Sequence, residues 1–135
     1  MEHLKVVDFM SRQFVTLTPD LPVVEAAIAL IKNELIGGPV VDKHNALIGW
    51  LSEQDCLKTV SQVMYYADRV ATVADVMRKD VLAAKEDDNL LDLASMMEQQ
   101  KPKIYPVVDG KNRVLGVISR RIILREMCKH IAKSR

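Results

Sequence analysis

A chain of 135 residues, 49% apolar and 27% charged, has room for one domain of ordinary size or for two units of about 60 residues, each marginal alone. It is too apolar to remain disordered. Nineteen basic side chains against 18 acidic ones leave a formal charge of +1. That balance excludes a global field for nucleic acid or anionic membrane, so any basic patch must be local.

The opening Met1 to Asp8 lacks the apolar stretch of a secretory signal, and no later stretch approaches the ~20 apolar residues of a membrane span. The expectation is a soluble, cytoplasmic protein with no membrane partner. Cys56 and Cys128 sit in apolar helical contexts, without a second Cys or His at metal-ligand spacing. Both are therefore expected to be reduced packing residues, with no disulfide framework and no zinc site.

The chain matches itself without a gap at a shift of 67 residues. Asp8 and Met10 recur as Asp75 and Met77, and Pro39-Val40-Val41-Asp42 recurs as Pro106-Val107-Val108-Asp109. Asn45, Gly49, Ser52 and Leu57 recur as Asn112, Gly116, Ser119 and Leu124. Two copies are too few for a solenoid and each is too small to bury its apolar face well, so the halves are expected to pack on each other.

In chain order, a short strand at Phe14-Val15-Thr16 leads to a polar turn ending at Asp20, the expected N-cap of the next helix. Along that helix Val23, Val24, Ala27, Leu30 and Ile31 form an apolar stripe. Pro39-Val40-Val41 is a β-branched strand. The turn from Asp42 to Asn45 joins it in a hairpin to Leu47-Ile48-Gly49-Trp50-Leu51. A helix begins at Ser52, and Thr59 to Thr72 links the copies. The second copy repeats the order: a strand at Val81-Leu82-Ala83, a cap at Asp87, a stripe of Leu90, Leu91, Ala94 and Met97, then Pro106-Val107-Val108. The turn from Asp109 to Arg113, the strand Val114-Leu115-Gly116-Val117-Ile118 and a helix from Ser119 complete it. Each repeat thus reads β-α-β-β-α.

Gly49-Trp50-Leu51-Ser52-Glu53-Gln54-Asp55 runs a strand through glycine into a helix whose first turn offers a hydroxyl and a carboxylate. Glycine admits a ligand to the backbone, free N–H groups at a helix start attract phosphate, and a carboxylate one turn in accepts both ribose hydroxyls. Ser-x-x-Asp before an apolar stripe is also a capping box that serves the helix alone.

Tandem copies with an opening Asp-x-Met, a Pro-Val-Val-Asp strand and Gly-h-h-Ser-x-x-Asp (h apolar) entering the last helix resemble the CBS domain, named for cystathionine β-synthase. The resemblance covers residues 7 to 58 and 74 to 125. It implies an α+β fold of two tandem CBS repeats, 1–66 and 67–135, packed about a pseudo-twofold axis as one Bateman module. It also implies a regulatory pair that binds AMP, ADP, ATP or S-adenosylmethionine in clefts between the repeats.

Carried over residue by residue, the family's site is asymmetric here. Gly49, Ser52 and Asp55 supply one motif in full. Leu82, Ala83 and Ala84, with Lys103, Ile104, Tyr105 and Pro106, should face them beside the adenine, Lys103 adding a cation. The second site would use Gly116 and Ser119, but Ile122 stands where Asp55 would be and cannot hold a ribose diol. Its opposite wall of Val15, Thr16 and Thr18, with Ile36, Gly37, Gly38 and Pro39, offers no cation. Arg120 and Arg121 are the groups there for a phosphate, or simply a solvated charge pair.

His3, His44 and His130 have no spacing for a metal site or triad, so surface positions are expected. Met64, Met96, Met97 and Met127 are expected as core filler. Trp50 either borders a ligand base or packs in the core. From Arg120 to Arg135 the chain is an amphipathic basic helix with apolar positions 123, 124, 127, 128 and 131. Its cations lack the aromatic stacking set of a nucleic-acid site.

The sequence therefore points to a non-catalytic module sensing an adenosyl ligand, with one complete and one degenerate site, signalling as a homodimer or through a separate effector protein. No nucleophile, base and orienter are arranged for catalysis. The rivals are an interaction module without a small ligand, in which Ser52 and Asp55 only cap a helix, and nucleic-acid binding by the terminal helix.

Overall fold

In a computed structural model, residues 4–66, 69, 71–99 and 102–133 are described. His3, Ser134 and Arg135, which the sequence reading invoked, lie outside them. The fold is α+β, and the chain forms two compact units. One is Phe14–Val81; the other joins the start of the chain, through Gln13, to everything from Leu82 onward. The first holds helix α1 (Val23–Lys32), strands β1 (Gly37–Val41) and β2 (Leu47–Ser52), helix α2 (Glu53–Tyr66) and the short α3 (Val73–Val76). The second holds a 3-10 turn (Val6–Asp8), β3 (Ala84–Lys85), α4 (Leu90–Gln99), β4 (Ile104–Val108), β5 (Val114–Ser119) and α5 (Arg120–Lys133).

Each unit takes its leading segment from the stretch of chain preceding the other repeat. Val6 donates its backbone N–H to the carbonyl of Asp88 at 2.9 Å, and Ser11 exchanges two backbone hydrogen bonds with Val117. Trp50 and Arg78 make the equivalent exchange in the other unit, both at 2.9 Å. Apolar burial drives both arrangements, since Val6 and Met10 are core residues of one unit and Val73 is a core residue of the other.

Two antiparallel hairpins, β1 with β2 and β4 with β5, are matched residue for residue at the repeat spacing. In each turn an aspartate organises the loop. Asp42 Oδ1 accepts the N–H groups of His44 and Ala46, and Asp109 Oδ1 those of Lys111 and Arg113. Asn45 and Asn112 take φ of 64° and 62°, the left-handed region that asparagine tolerates better than most residues. Backbone hydrogen bonds, from Ala46 foremost at Asp42 and from Arg113 foremost at Asp109, hold both carboxyls below the ordinary 3.8. Their help to the turns is therefore complete above that value and is lost as pH falls through the lowered one.

The leading strands lie later than the sequence suggested. Residues 14–16 and 81–83 are not in strands; Leu17 alone bridges Val40, and Ala84–Lys85 pairs in parallel with Val107–Val108. The sheet takes the residues whose side chains the core buries, Leu17 and Ala84, while Thr16 and Leu82 remain exposed. The helices start later too, so Asp20 and Asp87 are not their caps. Pro22 precedes α1 without a side-chain cap, and Asn89 Oδ1 accepts the N–H groups of Leu91 and Asp92 to cap α4.

Part of the apolar stripes of α1 and α5, with two of the methionines and one of the cysteines expected to pack inside, is exposed. Helix α1 buries Val23, Ala26 and Leu30 and leaves Ile31 exposed; α5 buries only Ile123, with Leu124, Cys128 and Ile131 exposed. Met97 is buried and Met127 partly so, but Met64 and Met96 are exposed. With only one layer of strands to cover, each helix needs a narrower apolar stripe than its sequence provides. Cys56 is buried as expected, and burial, aided by Asp55 and Glu53, pushes its thiol pKa up.

The cores fill one place in opposite ways. A Cβ on Gly38 would stand 3.0 Å from the Val15 carbonyl oxygen, with Leu30 and Leu17 close behind. At the equivalent positions of the other unit the smaller Ala84 replaces Leu17, and Tyr105 replaces Gly38, both fully buried. The Tyr105 hydroxyl has no protein hydrogen-bond partner among the described residues, and burial raises its pKa against the opposing pull of Arg120. Tyr105→Phe should therefore leave stability unchanged or raise it by up to about 1 kcal/mol, whereas Tyr105→Ala should cost about 3–5 kcal/mol. Denaturant unfolding measures both; a loss above about 1 kcal/mol in Tyr105→Phe would show that the hydroxyl is satisfied in solution.

Candidate functional site

The corner where β2 enters α2 gathers the complete motif. Gly49 lies on β2 because no side chain fits there: a Cβ would meet Met77 Sδ at 2.6 Å and the Arg78 carbonyl oxygen at 3.0 Å. Gly116 is constrained in the same way by Ser11 and Met10. Packing within each unit thus accounts for both glycines.

Ser52 ends β2, and its Oγ accepts the N–H of Asp55 at 3.1 Å, while Glu53 donates its N–H to the Ile36 carbonyl at 2.8 Å. Oγ is therefore a helix cap whose own O–H still has a proton to donate. The Asp55 carboxylate, half-buried in the first turn, makes no hydrogen bond or ion pair with the described residues. A true capping box occurs elsewhere in the same unit. There the Asp75 carboxylate accepts both the backbone N–H and the hydroxyl of Thr72, each at 3.0 Å. Helix capping uses Asp75 fully, and it uses only the serine of Ser52-x-x-Asp55. A hydroxyl donor and an uncommitted carboxylate beside a helix start can bind a polyhydroxylated anion, the carboxylate accepting from a diol.

The corresponding corner at α5 keeps the cap and loses the carboxylate. Ser119 Oγ accepts the N–H of Ile122 at 3.1 Å, and Arg120 donates its N–H to the Lys103 carbonyl at 3.0 Å. Arg120 and Arg121 are exposed.

The remaining predicted site residues fall on strand edges. Parallel pairing of β3 with β4 sets Ala84 opposite Val107, so Ala84 shares one small sheet with Ile104, Tyr105 and Pro106, whereas Leu82 and Ala83 precede β3 and are not in a strand. Ala84, Tyr105 and Pro106 are buried there; Leu82 and Lys103 are exposed. In the other unit Leu17 donates to the Pro39 carbonyl at 2.9 Å, setting exposed Thr16 and Thr18 next to buried Gly38 and Pro39. Each unit thus holds one helix-start corner and one strand-edge set.

Trp50 is half-buried, and its indole lies against Gly37. His44 is exposed in its turn. Among the described residues no group of three or more metal-ligating side chains exists, and no helix is long and apolar enough to cross a membrane. Sequence reasoning missed a cavity of about 100 Å³ lined by Leu4, Phe9 and Leu90 and, from α5, by Glu126, Lys129, His130 and Lys133. The spacing of the four α5 residues was its visible signal.

Because both serines cap, Ser52→Ala and Ser119→Ala should each cost about 1 kcal/mol of stability. Thermal or denaturant unfolding checks the pair; no loss in either would mean that the caps seen at 3.1 Å carry no weight.

A family model described as the CBS domain matches residues 6–62 and again 73–129. Among curated proteins, the chain is 32% identical over 121 residues to an inosine-5'-monophosphate dehydrogenase of Methanocaldococcus jannaschii, covering 90% of this chain and 23% of that protein. The chain thus spans about a quarter of that relative's length. Among solved structures, CBSX2 in complex with AMP superposes with a TM-score of 0.81 at 26% identity, over 93% of this chain and 97% of the other. The CBS domain pair of protein MJ0100, in complex with 5'-methylthioadenosine and S-adenosyl-L-methionine, gives a TM-score of 0.79 at 28% identity over the same shares. The chain belongs to the CBS domain family, as two tandem CBS repeats.

Proposed function

We propose that this CBS pair is a regulatory module that senses an adenosine-containing ligand, AMP, ADP, ATP or S-adenosylmethionine, and has no catalytic role of its own. Asp55 accepts the ribose hydroxyls and Ser52 donates to phosphate or to the group in its place. The observation that carries this reading is the Asp55 carboxylate, which the helix cap leaves uncommitted while Asp75 in the same unit is fully used. Complexes of structural neighbours with AMP, 5'-methylthioadenosine and S-adenosyl-L-methionine support the ligand class.

One such ligand binds per chain, because Ile122 offers the ribose nothing and each unmet buried hydrogen bond costs about 1–3 kcal/mol. Output passes through a homodimer or a separate effector, since ligand binding alters a module only by favouring one of its states.

Calorimetric titration with the four ligands, on wild type and Asp55→Asn, tests the site. We expect a single site per chain and at least a tenfold loss of affinity in Asp55→Asn, about 1.4 kcal/mol, with the apo melting temperature nearly unchanged. Unchanged affinity for every ligand that binds wild type removes Asp55 from the site; two equivalent sites per chain overturn the role given to Ile122. Light scattering across a wide dilution range tests the dimer, for which a two-chain mass is expected and a persistent one-chain mass is contrary.

A further inference from the structure

Glu126, Lys129, His130 and Lys133 recur at helical spacing along α5 and so share one face. All four line the cavity of about 100 Å³, whose other lining residues are the apolar Leu4, Phe9 and Leu90. Every one of these residues belongs to the unit that joins the start of the chain to everything from Leu82 onward. Backbone pairing fixes the apolar side: Leu90 opens α4 by donating its N–H to the Leu4 carbonyl at 2.8 Å, and nearby Val6 is fully buried.

The other repeat serves as a control. The same backbone clasp recurs there, with Val23 donating its N–H to the Ala71 carbonyl at 2.9 Å. Leu4, Phe9 and Leu90 have the apolar equivalents Ala71, Val76 and Val23, whereas the four α5 residues have the uncharged equivalents Thr59, Gln62, Val63 and Tyr66. Packing of the repeat therefore does not call for the charges that α5 places along this cavity.

Nor do those charges consume one another. Lys129 Nζ stands 3.9 Å from Glu126 Oε2, and Arg125 stands 3.8 Å from the other carboxylate oxygen; ion pairs of that length at exposed cations contribute little. Lys133 makes no ion pair or hydrogen bond with the described residues. With His130 neutral, Lys129 and Lys133 against Glu126 leave the lining with a net charge of +1. A monoanion balances that charge, and the three apolar residues favour an aliphatic tail over a hydrated inorganic ion. Size limits the tail, because a cavity of about 150 Å³ holds benzene and one of about 100 Å³ holds about four carbons by the same measure.

We propose that this cavity binds a short-chain aliphatic monocarboxylate, its tail against Leu4, Phe9 and Leu90 and its carboxylate held by Lys129 and Lys133. The site shares no residue with Ser52 and Asp55, so it stands or falls independently of the adenosyl ligand.

Isotope-edited NMR titration with butyrate at constant ionic strength tests the site. We expect saturable shifts at Leu4, Phe9, Leu90 and the α5 residues, with a Kd of about 1–10 mM, the range that so few atoms reach. Acetate, which lacks most of the tail, should bind about tenfold more weakly. Butyramide, which lacks the charge, should bind about threefold more weakly. Lys129→Gln with Lys133→Gln should remove the preference for butyrate over butyramide, with circular dichroism confirming the fold, and Asp55→Asn should leave butyrate binding unchanged. Absence of saturable shifts at these residues overturns the proposal. Equal binding of butyramide would show an apolar hollow without carboxylate recognition, and equal binding of acetate or inorganic phosphate would show an adventitious ion only; either result also overturns it. A butyrate preference that survives the double lysine change overturns the role given to Lys129 and Lys133.

Discussion

The corner between strand and helix rests on one close contact, Met77 against Gly49. The contact fixes where β2 runs beneath the segment preceding the second repeat, and the paired backbone bonds between Trp50 and Arg78 lock the register. Two residues beyond the glycine's neighbour Trp50, Ser52 turns the chain into α2 and Asp55 takes its place in the first turn. Met10 against Gly116 builds the same corner in the other unit. A side chain at either glycine would push the leading segment away and with it the start of the helix. The glycine therefore serves the site through architecture, by holding Ser52 where its Oγ can cap.

That architecture explains why so much of the fold was legible in the sequence and why particular parts were not. The hairpins were readable because Pro-Val-Val-Asp and its turn asparagine follow local rules: β-branched strands, an aspartate that collects loop N–H groups, and an asparagine at positive φ. The leading strands were misplaced because Phe14-Val15-Thr16 has strand propensity, but pairing is decided by which backbone lies beside β1, and that is Leu17. Local pattern also cannot show that Val6 and Met10 enter a core with residues near position 118. That exchange of leading segments depends on long-range burial.

The surface was the least readable part. Helical periodicity in α1 and α5 marks Ile31, Leu124 and Ile131 as apolar, but only the breadth of the underlying sheet determines that they remain exposed. The motif at Ser52 was ambiguous in the sequence for a different reason. Ser-x-x-Asp is both a cap and a ligand set, and the two uses differ only in where the aspartate carboxylate goes. At Thr72 and Asp75 it returns to the cap; at Ser52 and Asp55 it does not. Divergence of the repeats then takes on meaning: Ile122 removes the carboxylate from one corner, and Gly38 with Tyr105 redistributes volume between two cores that otherwise correspond.

The central claim is that Asp55 recognises a ribose diol. A thermodynamic cycle isolates that contact: calorimetry of wild type and Asp55→Asn, each with AMP and with its 2',3'-dideoxy analogue. If the carboxylate holds the hydroxyls, their removal weakens binding to wild type by tenfold or more, about 1.4 kcal/mol, and has little effect on Asp55→Asn. An equal loss in both proteins would contradict the account, because the hydroxyls would then be recognised by a group other than Asp55.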